Sequence, residues 1–132
     1  MASVIYIDTS VVLARLLEET RKPPATLFQR TLISSRLLEY ECWNRVHARK
    51  LAPALDEALN LILSRISFVE LAPPVLRYAK DPWNVSVRTL DTLHLSTLRY
   101  LVEQGLDVEL ATYDSAMLAA AVRNAIRATE LV

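Results

Sequence analysis

The chain has 132 residues, 52% of them apolar, which suits one domain with a real hydrophobic core and excludes a disordered chain. Its 15 basic and 15 acidic side chains cancel, so no global field draws it to nucleic acid and any such binding must rest on a local patch. The one glycine, Gly105, excludes a phosphate-cradling loop and a dinucleotide fingerprint, both of which need several glycines for close backbone approach.

Val4-Ile5-Tyr6-Ile7 is short, apolar and β-branched, and predicts a buried strand that ends at Asp8. Ser10 is a natural N-cap for a helix running through Leu17, which Arg21-Lys22-Pro23-Pro24 breaks. A weak second strand over Thr31 to Ser34 leads to a helix from about Ser35 to Lys50. Pro53 suits the start of another helix, reaching about Arg65. Ser67 to Leu71 alternates as a strand does, and Pro73-Pro74 opens a short helix ending near Lys80. After a loop at Asp81-Pro82-Trp83-Asn84, a long helix spans about Thr89 to Gln104, with Gly105 as its C′ residue. Val108 to Thr112 reads as a strand, Asp114 starts a last helix to about Asn124, and Ala128 to Val132 suits a final strand. Strands alternating with helices predict an α/β fold, three layers deep, around a central and mainly parallel sheet of four to five strands. No repeat or linker divides it. In such sheets ligands sit beyond the carboxyl ends of the strands, so acids at those ends carry most weight.

Four acids stand where they can converge. Asp8 ends the first strand and Asp114 follows the strand ending at Thr112. Glu41 shares a helix face with Leu37 and Leu38, whereas Glu39 points elsewhere, toward a surface ion pair with Arg36. Asp91 begins the stripe His94, Leu95, Leu98 and Val102. A carboxylate heading an apolar stripe must be paired, hydrated, protonated or bound to a cation. Each acid also has a plainer reading: a turn residue for Asp8, a solvated helix glutamate for Glu41, a helix-dipole partner for Asp91, an N-cap for Asp114. Carboxylates within about 5 Å of each other repel by about 3 kcal/mol per pair at an effective dielectric of ~20. A divalent cation reverses that sign, and hard oxygen donors favour Mg²⁺ or Mn²⁺ over Zn²⁺. Such an ion suits hydrolysis of a phosphodiester without a covalent protein intermediate.

These segments resemble the PIN-domain family, in particular the VapC-type toxins of toxin–antitoxin pairs, over nearly the whole chain. Ile5-Tyr6-Ile7-Asp8-Thr9-Ser10 is similar to the family's opening strand, aspartate and hydroxyl. Ser34-Ser35-Arg36-Leu37-Leu38-Glu39-Tyr40-Glu41 is similar to its second motif, with the glutamate on Glu41. Leu90-Asp91-Thr92-Leu93-His94-Leu95-Ser96 and Leu110-Ala111-Thr112-Tyr113-Asp114 follow in the family's order. Thr92 and Asn124-Ala125 depart from its usual alanine and glycine. The resemblance implies one domain over residues 1–132 and a Mg²⁺- or Mn²⁺-dependent endoribonuclease acting on RNA. It also implies a cognate VapB-type antitoxin and a homodimer. By carry-over Asp8, Glu41, Asp91 and Asp114 bind metal and form the catalytic set, with Ser10 and Thr112 supporting them as hydroxyls.

Among the remaining residues, His94 suits a structural role better than that of a ligand or base. Arg15 and Arg88 are the leading candidates for RNA contact. Arg21 and Lys22 flank the expected mouth, and Arg45, His47, Arg49 and Lys50 form a basic run. Trp83 can stack on a base, cover the core or meet a partner. The single Cys42 cannot form an intrachain disulfide and fits packing in a reducing cytoplasm. No signal peptide or membrane span is visible. Two other readings compete. One is a non-catalytic partner-binding module on the same fold, suggested by the neutral charge. The other is a phosphotransfer domain with an aspartate on its first strand, although Ser10 and Leu110-Ala111-Thr112 lack the second aspartate and the lysine that such domains carry.

Overall fold

A computed structural model describes residues 3–18, 20–83 and 87–131. Strand β1 (Val4–Ile7) alternates its side chains between two helical layers: Ile5 and Ile7 face one core, Tyr6 the other. It pairs in parallel with β2 (Leu32–Ser35) on one side and β4 (Val108–Ala111) on the other, while β3 (Ile66–Val69) pairs in parallel with β2. The sheet order among the described residues is β3-β2-β1-β4. Chain order therefore reverses between β1 and β4, and the crevice beyond their carboxyl ends is the expected ligand position.

The first layer holds α1 (Thr9–Leu16), α2 (Leu37–Ala48) and α3 (Asp56–Leu63). Leu38, Cys42 and Val46 of α2, one turn apart, pack with Val11 and Val12 of α1 and Leu59 of α3 against Ile5 and Ile7. The opposite layer holds α4 (Pro73–Leu76), α5 (Thr89–Glu103) and α6 (Ser115–Arg123). Leu95, Leu98 and Leu101 of α5 pack with Met117, Ala120 and Ala121 of α6 against Tyr6, Val108 and Leu110. Each fully buried leucine contributes about 1.5–3 kcal/mol of hydrophobic stabilisation. The α/β/α architecture expected from the alternating pattern is the one observed.

Three local expectations are corrected and one unforeseen element is added. The N-cap of α1 is Asp8, not Ser10, because the Ser10 hydroxyl turns back to the Asp8 carboxylate. Pro53 does not open α3, since residues 52–55 form turns and the helix starts at Asp56, with Asp56 and Glu57 suiting its positive end. Residues 25–29 form a 3-10 turn that the proline break concealed. In place of a strand over 128–132, Ala128 makes a single parallel bridge to Leu110, and Val132 lies outside the described residues. Asn84 of the expected loop also lies outside them; Trp83 covers the second core and donates its indole N–H to the Tyr78 carbonyl.

Helix α5 ends as the sequence predicts. Gly105 takes φ +87°, its N–H donates to Val102 O at 2.9 Å and the Leu106 N–H to Leu101 O at 3.1 Å, the two bonds of a Schellman cap. A Cβ at Gly105 would meet no atom within 4 Å, so only backbone strain opposes substitution. Gly105→Ala is expected to cost about 1 kcal/mol, measured as a lower urea midpoint at unchanged m-value.

Candidate active site

Asp8 leaves β1 directly into α1 and is 3% exposed. Two hydroxyls hold its carboxylate: Ser10 Oγ donates to Oδ1 at 2.6 Å and Thr112 Oγ1 donates to Oδ2 at 2.6 Å. Each hydroxyl is aimed by the backbone, because the Tyr113 N–H donates to Ser10 Oγ and the Asp114 N–H donates to Thr112 Oγ1, both at 2.9 Å. With those lone pairs occupied, the hydroxyl protons are directed at the carboxylate. Burial pushes the Asp8 pKa above its ordinary 3.8, and the two hydroxyl bonds oppose that rise.

Glu41 stands on α2 beside the buried Cys42 and Leu38. Its Oε1 accepts from Thr9 Oγ1 at 2.7 Å and lies 2.7 Å from His94 Nε2. The same imidazole meets the Tyr6 hydroxyl through Nδ1 at 2.7 Å, and His94 is 1% exposed. Burial pushes the Tyr6 phenol far above its usual pKa. Glu41 Oε2 carries no hydrogen bond among the described residues. Glu39, as expected, turns away: it pairs with Arg36 at 3.2 Å, and Arg36 also grips Glu70 at 2.7 Å.

Asp91 sits in the first turn of α5. Burial raises its pKa, the neighbouring Asp114 carboxylate raises it further and Glu41 adds a smaller push. Asp114 caps α6, its Oδ1 accepting from the Met117 N–H at 3.0 Å. Asp8, Glu41, Asp91 and Asp114 all line one hollow of about 740 Å³ at the β1/β4 switch point, together with Thr9, Ser10 and His94. Arg21, Arg45 and Arg88 line the same hollow. Arg21 is already ordered there, donating to Tyr113 O at 2.9 Å and stacking on the Tyr113 ring. Arg15 is not part of the lining: its guanidinium lies over Phe28, because the helical turn carries it away from the mouth. His47, Arg49 and Lys50 lie outside the hollow too, with His47 stacked on Trp43.

The donor set is all oxygen, which suits a hard cation. Among the described residues no three Asp, Glu, His or Cys side chains are gathered closely enough to cage an ion unaided. The hollow fits the other mode, in which a Mg²⁺-sized ion keeps several of its waters and takes only one or two carboxylates. Burial and the Asp114 carboxylate both disfavour the charge on Asp91, and a cation in the hollow would offset them. Burial pushes the Cys42 thiol up to about 12, which removes it as a nucleophile.

Sequence reasoning missed Thr9 and Tyr6. A hydroxyl beside Asp8 was legible as a possible support, and a lone phenol in an apolar strand signals a buried partner for its O–H. Neither pattern says which side chain it meets.

An all-parallel sheet with an acid-lined hollow at its reversal point defines the class of α/β proteins that act on ligands beyond their strand ends. The chain belongs to the PIN-domain family, whose profile matches residues 5–123. The family's fold is a nuclease fold, generally that of metal-dependent ribonucleases. A search of the curated proteins finds no significant match.

The raised pKa values of Asp8 and Asp91 imply that the folded chain binds protons more tightly than the unfolded one. That contribution to stability is full below about pH 3.8 and is lost as pH rises through the folded-state values. Asp91→Asn removes one of these charges. In chelator it is expected to melt above the wild type near pH ~7, and the difference should vanish once the pH falls below 3.8.

Proposed function

We propose that this chain is a divalent-metal-dependent endoribonuclease that hydrolyses RNA phosphodiester bonds, and that it serves as the toxin of a VapBC-type pair. The observation that carries the reading is the arrival of Asp8, Glu41, Asp91 and Asp114 at one hollow from four separate elements. One or two of these carboxylates would hold Mg²⁺ or Mn²⁺ directly, and the others would meet it through its bound waters. When bound, the ion supplies charge that polarises a water and offsets the growing negative charge of the phosphodiester.

The chain's own residues do the rest. Ser10 and Thr112 keep Asp8 fixed, and Thr9 and His94 fix one oxygen of Glu41 so that the other stays open to the hollow. Arg21, Arg45 and Arg88 line the hollow with cations from three separate stretches of chain and would bind RNA phosphates on either side of the scissile bond. This local basic rim supplies what the net charge does not.

The toxin assignment rests on the order of the four sequence motifs and on surface chemistry. No helix among the described residues is long and apolar enough to cross a membrane. The buried, unpaired Cys42 suits a reducing cytoplasm. Leu118 and Val122, exposed one turn apart on α6, and the exposed Tyr40 on α2 offer apolar contacts to an antitoxin or a second copy. The same exposed residues favour a second reading, a partner-binding module without catalysis. Absence of Mn²⁺ uptake at millimolar metal, with a small partner still captured, would select it.

Asp8→Asn is expected to reduce Mn²⁺-dependent RNA cleavage to the level seen in chelator, while a circular dichroism melt shows a folded protein. Cleavage at the wild-type rate by this variant would refute the enzyme reading. Arg45→Ala and Arg88→Ala are expected to weaken binding of single-stranded RNA in a salt-dependent way. Each lost phosphate contact should lower the slope of log affinity against log salt by ~0.7.

A further inference from the structure

Both nitrogens of a fully buried imidazole are engaged, in a chain that runs Tyr6 Oη, His94 Nδ1, His94 Nε2, Glu41 Oε1, with each link 2.7 Å long. The chemistry of the partners orients the chain. An ionised Glu41 accepts only, so Nε2 must carry the proton that faces it. In a neutral ring Nδ1 is then the acceptor, and the Tyr6 hydroxyl donates to it. Thr9 Oγ1 donates to the same Oε1 at 2.7 Å. Two donors on one oxygen set the plane of the carboxylate and leave Oε2 as the oxygen available to the hollow.

The three side chains come from different layers. Tyr6 points from β1 toward the α5 side, His94 stands on α5, and Glu41 stands on α2 across the sheet. The imidazole ring meets the phenol edge to face at 5.9 Å, which holds it against rotation. Both His94 nitrogens are thus taken up by protein side chains.

We propose that Tyr6 and His94 form a buried relay whose task is to hold Glu41 with one carboxylate oxygen fixed and the other presented to the metal, so that His94 is a positioning residue of the site. The role rests on the metal-dependent reading above. Second-layer partners of this kind typically change metal affinity by 10–100-fold.

The test has a part that needs no metal. Long-range ¹H–¹⁵N correlation spectra of the metal-free protein should show His94 as the Nε2–H tautomer. An Nδ1–H tautomer would overturn the relay. Mn²⁺ affinity is then measured by calorimetry for the wild type, Tyr6→Phe, His94→Gln and His94→Ala, each checked for a cooperative melt. Tyr6→Phe removes only a hydroxyl and keeps the proposal testable if His94→Ala does not fold. Tyr6→Phe and His94→Ala should each weaken Mn²⁺ binding by about tenfold or more, and His94→Gln, whose amide restores a donor toward Glu41, should recover most of the loss. Folded Tyr6→Phe protein binding Mn²⁺ as tightly as the wild type overturns the positioning role alone. Wild-type protein that takes up no Mn²⁺ overturns the metal reading itself and the positioning role with it, whichever tautomer the spectra show.

Discussion

The site depends on one buried carboxyl group held by two hydroxyls. Asp8 comes from β1 into α1, and Thr112 follows β4, the strand that joins β1 from the other side. The bond from Thr112 to the Asp8 carboxylate, with that from the Tyr113 N–H to Ser10, therefore stitches β4 to β1 where chain order reverses. Without those donors a charge this buried would protonate or drive local opening. With them it stays in place, and the remaining acids arrange themselves around a fixed point.

The energetics of the metal-free chain run against the function. Burial makes Asp8 reluctant to ionise, and burial with the Asp114 and Glu41 carboxylates does the same to Asp91, a cost that the two apolar cores must offset. Both cores draw on plain apolar side chains at helical or strand spacing, and the four acids are gathered at one hollow. This division lets the hollow be poor in stability without endangering the fold, as expected where a site is shaped by its chemistry.

Much of this was legible in the chain. The strand that ends at Asp8, the Gly105 cap and the α5 stripe beginning at Asp91 are each set by local chemistry, namely β-branching, positive φ and helical period. The choice of Glu41 over Glu39 followed from the face each shares, and the Arg36–Glu39 pair agrees with it. What stayed hidden depends on contacts far apart in sequence. Ser10 looks like a helix start in sequence, but its hydroxyl accepts from the Tyr113 N–H, 103 residues away, and donates to the Asp8 carboxylate. Arg15 and Arg21 look alike as basic residues near Asp8, but the break after Leu17 sends Arg21 back over Tyr113 while Arg15 turns to Phe28. Helix phase alone does not yield the path of the chain after that break.

Glu41 rides on the layer packed against Ile5 and Ile7, whereas Asp91 rides on the layer packed against Tyr6. The two carboxylates thus sit on opposite jaws of a vice whose screw is the sheet. Coulomb energy varies inversely with separation, so a core substitution that lets either jaw slip by an ångström is transmitted to the hollow as altered acid spacing. Apolar side chains such as Val46 or Leu98, which do not line the hollow, thereby acquire a say in its chemistry.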